Sequence, residues 1–192
     1  GCENISVYVD EKGEGSLRAH MNAYLQLPDD DGGTWHLQDD VIICKDFAER
    51  TRQYNTGVVC GFSSEMYDHA RVPGLVQVQD KWYSFPCIRI PNQMARKCAN
   101  WVLQYLLGNA VYGKFWRDGK NEDWAFWTFV KDHYRGIKVL NLAPNLVNHV
   151  DYLIGGSANA SKRLDHCVSQ YWTDDDLVEK LKEELEHAVD NN

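Results

Sequence analysis

The sequence predicts an α/β fold, a single domain in which a mixed sheet is flanked by helices. Two observations predict it. Short apolar runs with strand alternation interleave with stretches whose apolar residues recur at helical spacing. The 192-residue length suits one domain able to bury roughly 70% of its unfolded surface, and no internal repeat or linker divides the chain.

Composition narrows the function classes. Hydrophobic residues make up 44% and charged residues 25%, the usage of soluble globular chains, and no apolar run approaches a membrane span. No signal peptide is visible, and a cytoplasmic location is expected. Twenty basic against 28 acidic residues leave a net charge of −8, which disfavours a bulk electrostatic grip on nucleic acid. The six cysteines (Cys2, Cys44, Cys60, Cys87, Cys98 and Cys167) include no Cys-x-x-Cys pair, so buried free thiols are expected. The sequons at Asn4 and Asn159 are read as chance.

Along the chain, residues 5–10 (ISVYVD) alternate like a strand that stops at Asp10, before a turn through Gly13 and Gly15. Ser16 is placed to cap a helix with Leu17, Met21, Tyr24 and Leu25 on one face, ending before Pro28. An acidic loop (29–33, DDDGG) precedes a strand at 34–38 that runs into Asp39, Asp40 and a short apolar run at 41–43. A short helix at 47–54 and a buried strand at 56–62 follow. Residues 74–90 read as a hairpin with Asp80-Lys81 near the turn. Asn92 opens a long helix with Met94, Cys98, Trp101, Val102, Tyr105 and Leu106 on one face, closed by Gly108. A loop at 113–121 carries Lys114, Arg117 and Lys120 ahead of a strongly aromatic helix at 122–134. The remainder reads as a strand at 137–142, a segment bearing His149, a polar stretch after Gly155 and an amphipathic C-terminal helix at 173–192.

Five places carry residue types suited to chemistry. Asp39 and Asp40 follow an apolar strand, where open α/β sheets bind ligands. Two adjacent carboxylates there call for a neutraliser, and a hard divalent cation such as Mn2+ or Mg2+ shared with phosphates is the economical one; equally, they are solvated turn residues. Glu122 and Asp123 open the aromatic helix. They are either N-terminal caps favoured by the helix dipole or a general base walled by Trp124 and Trp127. His149 is a metal ligand or a hydrogen-bonded imidazole, and Lys162 and Arg163 are diphosphate ligands or solvated charges. Trp82, Tyr83 and Phe85 are an acceptor platform or core. Zinc spacings, a P-loop, a dinucleotide-binding glycine motif and a nucleophile elbow are all missing.

Taken in order, strand-ending Asp10, Leu37-Gln38-Asp39-Asp40-Val41, Glu122-Asp123-Trp124 and the 144–149 segment (PNLVNH) resemble the motifs of GT-A-fold glycosyltransferases. Within that fold the chain is similar to the family 25 galactosyltransferase-like group and to small glycosyltransferase-like proteins of tailed bacteriophages, which for a viral protein means the host cytoplasm. The resemblance implies a GT-A-like single domain and metal-dependent transfer of a sugar from a nucleotide-sugar, a UDP-sugar first, to an acceptor hydroxyl with inversion. It implies that Asp10, Asp39, Lys162 and Arg163 contact the donor, that Asp40, Asp39 and His149 hold Mn2+ or Mg2+, and that Asp123, or else Glu122, is the base. The acceptor is a saccharide, a protein or a modified DNA base. Alternatives are a non-catalytic nucleotide-sugar binding module, a metal-dependent phosphoesterase and a phage DNA-base glycosyltransferase.

Overall fold

A computed structural model describes residues 5–39, 41–62, 74–78, 85–106, 122–143 and 145–149. It is a mixed α/β arrangement. In chain order the elements are α1 (Ser16–Leu25), β1 (Gly33–Leu37), β2 (Val41–Ile43), α2 (Phe47–Thr51), β3 (Val59–Cys60), β4 (Gly74–Gln77) and β5 (Cys87–Pro91). Then come α3 (Asn92–Trp101), a π-helical continuation (Val102–Leu106), α4 (Glu122–His133), β6 (Lys138–Asn141) and β7 (Val147–His149).

Five strands form one sheet in the order β1-β5-β3-β6-β4, and β2 and β7 pair separately. Among the described residues only the β3–β6 pairing is parallel; β1–β5, β3–β5, β4–β6 and β2–β7 are antiparallel. Because side chains alternate across a strand, the sheet separates two apolar layers. Ile88, Ile90, Val58, Cys60 and Val139 face the helices, joining Leu17, Met21 and Tyr24 of α1, Cys98 of α3 and Phe126 and Val130 of α4. Cys87, Val59 and Leu140 face the other way, onto Cys44, Phe47, Leu146 and Val147.

The helices follow the sequence pattern closely. Leu17, Met21 and Tyr24 are buried along α1, and Met94, Cys98 and Val102 along α3 and its continuation. The four described cysteines are buried thiols outside any disulfide, as the sequence predicts. Burial pushes the Cys87 thiol well up and raises Cys98 and Cys44 too, the behaviour of structural thiols.

Three expectations are corrected. Residues 5–10 are not a strand: Ile5, Val7 and Val9 are 77%, 82% and 65% exposed, and no partner pairs with them among the described residues. The hairpin at 74–90 does not form, because β4 pairs with β6 while β5 sits between β1 and β3. Ser16 does not cap α1. Gly15, at φ +89°, occupies that position, and its N–H donates to Asp10 Oδ2 at 3.0 Å.

The acidic loop has a structural role. Asp30 Oδ1 accepts from Gly32 N–H at 2.9 Å and from Asn92 Nδ2 at 2.7 Å, and Asp31 accepts from Gln93 Nε2 at 3.0 Å. These carboxylates therefore sit at the positive end of α3. Beside them, buried Arg89 donates to the carbonyls of Gly57 (2.7 Å) and Asn55 (2.6 Å), holding the loop before β3 against the sheet. Its guanidinium lies where a side chain on Gly33 would begin. Gly33→Ala is therefore expected to destabilise the fold by about 1–3 kcal/mol, measured as a lowered urea midpoint with unchanged slope.

Among the described residues no helix is long and apolar enough to cross a membrane.

Candidate functional site

Glu122, the first residue of α4, is the meeting point of three segments that are remote in sequence. Its Oε2 accepts the Ser16 hydroxyl at 2.5 Å, and its Oε1 accepts Gln38 Nε2 at 3.1 Å. Each partner is positioned by local structure. Ser16 begins α1 after the turn that Asp10 closes, since Gly13 N–H also donates to the Asp10 carbonyl at 3.2 Å. Gln38 continues β1 by one residue, its N–H donating to the Pro86 carbonyl at 3.1 Å. Both oxygens of Glu122 are thus engaged, and the carboxylate is fixed in place.

Asp123 is different. Its Oδ1 accepts the Trp124 N–H at 2.6 Å, and no side chain donates to it among the described residues. It is half-buried, in the first turn of a helix whose next turn carries the buried Phe126–Trp127 pair, with ring centroids 4.8 Å apart. Burial pushes its carboxyl up to about 6, the Trp124 N–H and its own amide pull part of the way back, and the Glu122 charge adds to the push. A carboxylate held that high is a stronger base than a free aspartate and is still mostly ionised at pH 7. Of the two acids named from sequence, Asp123 has the properties of a base and Glu122 those of a strut.

The aspartate segment adjoins this strut. Asp39 follows Gln38 and is exposed. The side chain of Asp40 lies outside the described residues, but Val41 pairs with His149 in the antiparallel β2–β7 ladder, which sets the histidine backbone beside that segment. The ladder is extended by Cys44 N–H on the Leu146 carbonyl (2.9 Å) and tied to the end of β3 by Leu146 N–H on the Gly61 carbonyl (2.7 Å). Two links therefore meet at the 38–41 segment: a side-chain hydrogen bond ties Gln38 to Glu122, and the β2–β7 ladder sets the backbone of 147–149 beside Val41. Among the described residues Asp10 is linked to these segments through the turn and Ser16, as a fastener of the Gly15 amide at the start of α1 instead of a residue at a strand end.

Several expectations fall outside the described residues: the side chain of His149, Asp40, Trp82, Tyr83, Lys114, Arg117, Lys120, Lys162, Arg163 and the helix at 173–192. Phe85, offered as part of an acceptor platform, is 3% exposed and packs on Phe126 at 5.6 Å, so it is core. Among the described residues no three histidine, cysteine, aspartate or glutamate side chains group closely enough to hold a metal ion. The described part of the implied set is Asp39 alone.

Sequence reasoning passed over Ser16 and Gln38 as partners of Glu122, and Tyr24, His20 and His36 as a group. The available signal was the four-residue spacing of Ser16, His20 and Tyr24, which places them on one stripe of α1.

In comparisons with protein-family models, with curated proteins and with solved structures, nothing matches the chain.

Proposed function

We propose that the chain is a glycosyltransferase of GT-A-like architecture that moves a sugar from a nucleotide-sugar, a UDP-sugar first, to an acceptor hydroxyl with inversion. The observation that carries this reading is the Gln38–Glu122 hydrogen bond, which joins the aspartate segment to the helix start where Asp123 is held as an elevated base. Nucleotide-sugar transfer needs those two functions side by side: one place for the diphosphate and one base for the attacking hydroxyl.

Asp123 accepts the proton of the acceptor hydroxyl as its oxygen attacks the anomeric carbon and the nucleoside diphosphate leaves. Glu122, tied by Ser16 and Gln38, fixes the first turn of α4 and thereby the direction of the Asp123 side chain. Trp124 and Trp127 limit water at the base, which preserves its raised affinity for a proton. Asp39, Asp40 and His149 would hold Mn2+ or Mg2+, whose charge would offset that of the departing diphosphate. Lys162 and Arg163 are proposed to assist there. The acceptor is a saccharide or protein, with a modified DNA base ranked lower for a chain of net charge −8.

Calorimetry and donor turnover test the reading. UDP is expected to bind in the presence of Mn2+ and to lose most of its affinity in EDTA, and a UDP-sugar is expected to release UDP slowly. Hydrolysis of a generic phosphodiester with Mg2+ and no preference for sugar nucleotides would replace this function with a phosphoesterase. Binding of UDP-sugar with no UDP release under any acceptor would leave a binding module.

A further inference from the structure

The helix-facing side of β1 carries a polar feature that sugar transfer does not use. Tyr24 is fully buried in α1, yet its hydroxyl has no hydrogen-bond partner among the described residues, and the same is true of buried Nε2 of His36. The two rings meet edge to face with centroids 4.7 Å apart. His20, one turn earlier on α1, touches Tyr24 edge-on at 6.4 Å and Phe85 at 5.7 Å, while its Nδ1 lies 3.1 Å from the Ser16 carbonyl. Ser16, His20 and Tyr24 therefore line one side of a seam, and His36 and Gln38, on the same face of β1, line the other.

Buried polar atoms are paired in the great majority of native structures, and leaving two unpaired at one place is costly. The charges around the seam restrict what pairs with them. Burial is the first influence on both rings; beyond it, the neutral Cys98 thiol and the Glu122 carboxylate lie close enough to act on Tyr24, and His20 close enough to act on His36. Both oxygens of Glu122 accept hydrogen bonds that hold the carboxylate in place, and its charge repels an anion. Burial keeps the His36 imidazole neutral. A hydroxyl both donates and accepts, and a neutral imidazole nitrogen takes whichever role is left to it.

We propose that the seam between α1 and β1 is a binding site for an uncharged, hydroxyl-bearing guest that bridges Tyr24 Oη and His36 Nε2. The guest is an internal water or the alcohol group of a small ligand. This site is independent of the glycosyltransferase reading and survives its failure.

The sign of one substitution tests it. Tyr24→Phe deletes the hydroxyl and little else. With a resident water, the variant loses a bridged hydrogen bond and its Tm falls by about 2–8 °C in plain buffer. With no guest, the variant sheds an unpaired buried group and its Tm holds or rises. The second source is read by titrating ethylene glycol and following the His36 ring resonances, which should move in the wild type and stay still in Tyr24→Phe. The ring 15N spectrum of unmodified protein supplies a reading that does not depend on the variant folding: a hydrogen-bonded Nε2 is expected. A held or raised Tm together with no Tyr24-dependent response to ethylene glycol overturns the proposal, as does a non-bonded Nε2 in both conditions.

Discussion

Asp123→Asn is expected to lower sugar transfer by about 10²- to 10⁴-fold, the range supplied by a positioned general base, while making the protein more stable at pH 7–8. The two effects share one cause. Burial raises the carboxyl to about 6 from an ordinary 3.8, so above pH 6 the folded state carries an ionised group that the unfolded chain solvates better. The shift corresponds to at most ~3 kcal/mol, and partial exposure of the group reduces it to about 1–2 kcal/mol. Asparagine escapes that cost and still accepts the Trp124 N–H. Urea unfolding at pH 7.5 and a transfer assay on the same preparation check both halves. A variant that is less active because it is less stable contradicts the assignment, and so does one that retains full transfer. In the wild type, the acid limb of the transfer rate is expected near pH 6.

The second large effect concerns His36, whose imidazole is pushed down to about 3, first by burial and then by the neighbouring His20 charge. The unfolded chain takes up a proton near pH 6.5 while the folded chain does not, so stability is complete above that pH and falls steadily as pH drops towards 3. By pH 5 the loss is about 2 kcal/mol. Asp123 acts in the opposite sense over part of the same range, because its folded form binds a proton between about 6 and 3.8 and gains stability on acidification. The wild-type profile is therefore expected to be shallow from pH 6 to 4, with each substitution unmasking the other group. Asp123→Asn should lose stability on acidification, and His36→Gln should gain it. Paired urea titrations at pH 7 and 5 decide the matter, and parallel slopes in the two variants would contradict both assignments.

Much of the framework was legible because it is set locally. The apolar spacing of Leu17, Met21 and Tyr24, and of Met94, Cys98 and Val102, states which side of each helix enters the core, and tertiary packing agrees. Alternation carries less information. Ile5, Val7 and Val9 describe a strand face without naming a partner, and the backbone and carboxylate of Asp10 are used instead to close the glycine turn. The 74–90 stretch failed for the same reason, since a turn signal at Asp80-Lys81 says nothing about the competing edge that β6 offers to β4. Within the candidate site, the acids at 122–123 and the aspartate segment could be picked out as residue types in suggestive places. Their division of labour could not. It depends on Ser16 and Gln38, 106 and 84 positions away from Glu122, and such bonds leave no periodic trace in a single sequence.

The β2–β7 ladder has a consequence for how the molecule is made. Val41 is held by His149, and Ile43 by Val147, across more than a hundred intervening residues. On a ribosome, the short strand following Asp39 and Asp40 waits for nearly the whole of the described chain to emerge before its partner exists. Closing so long a loop is slow and entropically costly. This corner is therefore expected to be the last to assemble, and nascent chains halted before Val147 should hold the main helices while lacking the diphosphate end of the proposed site.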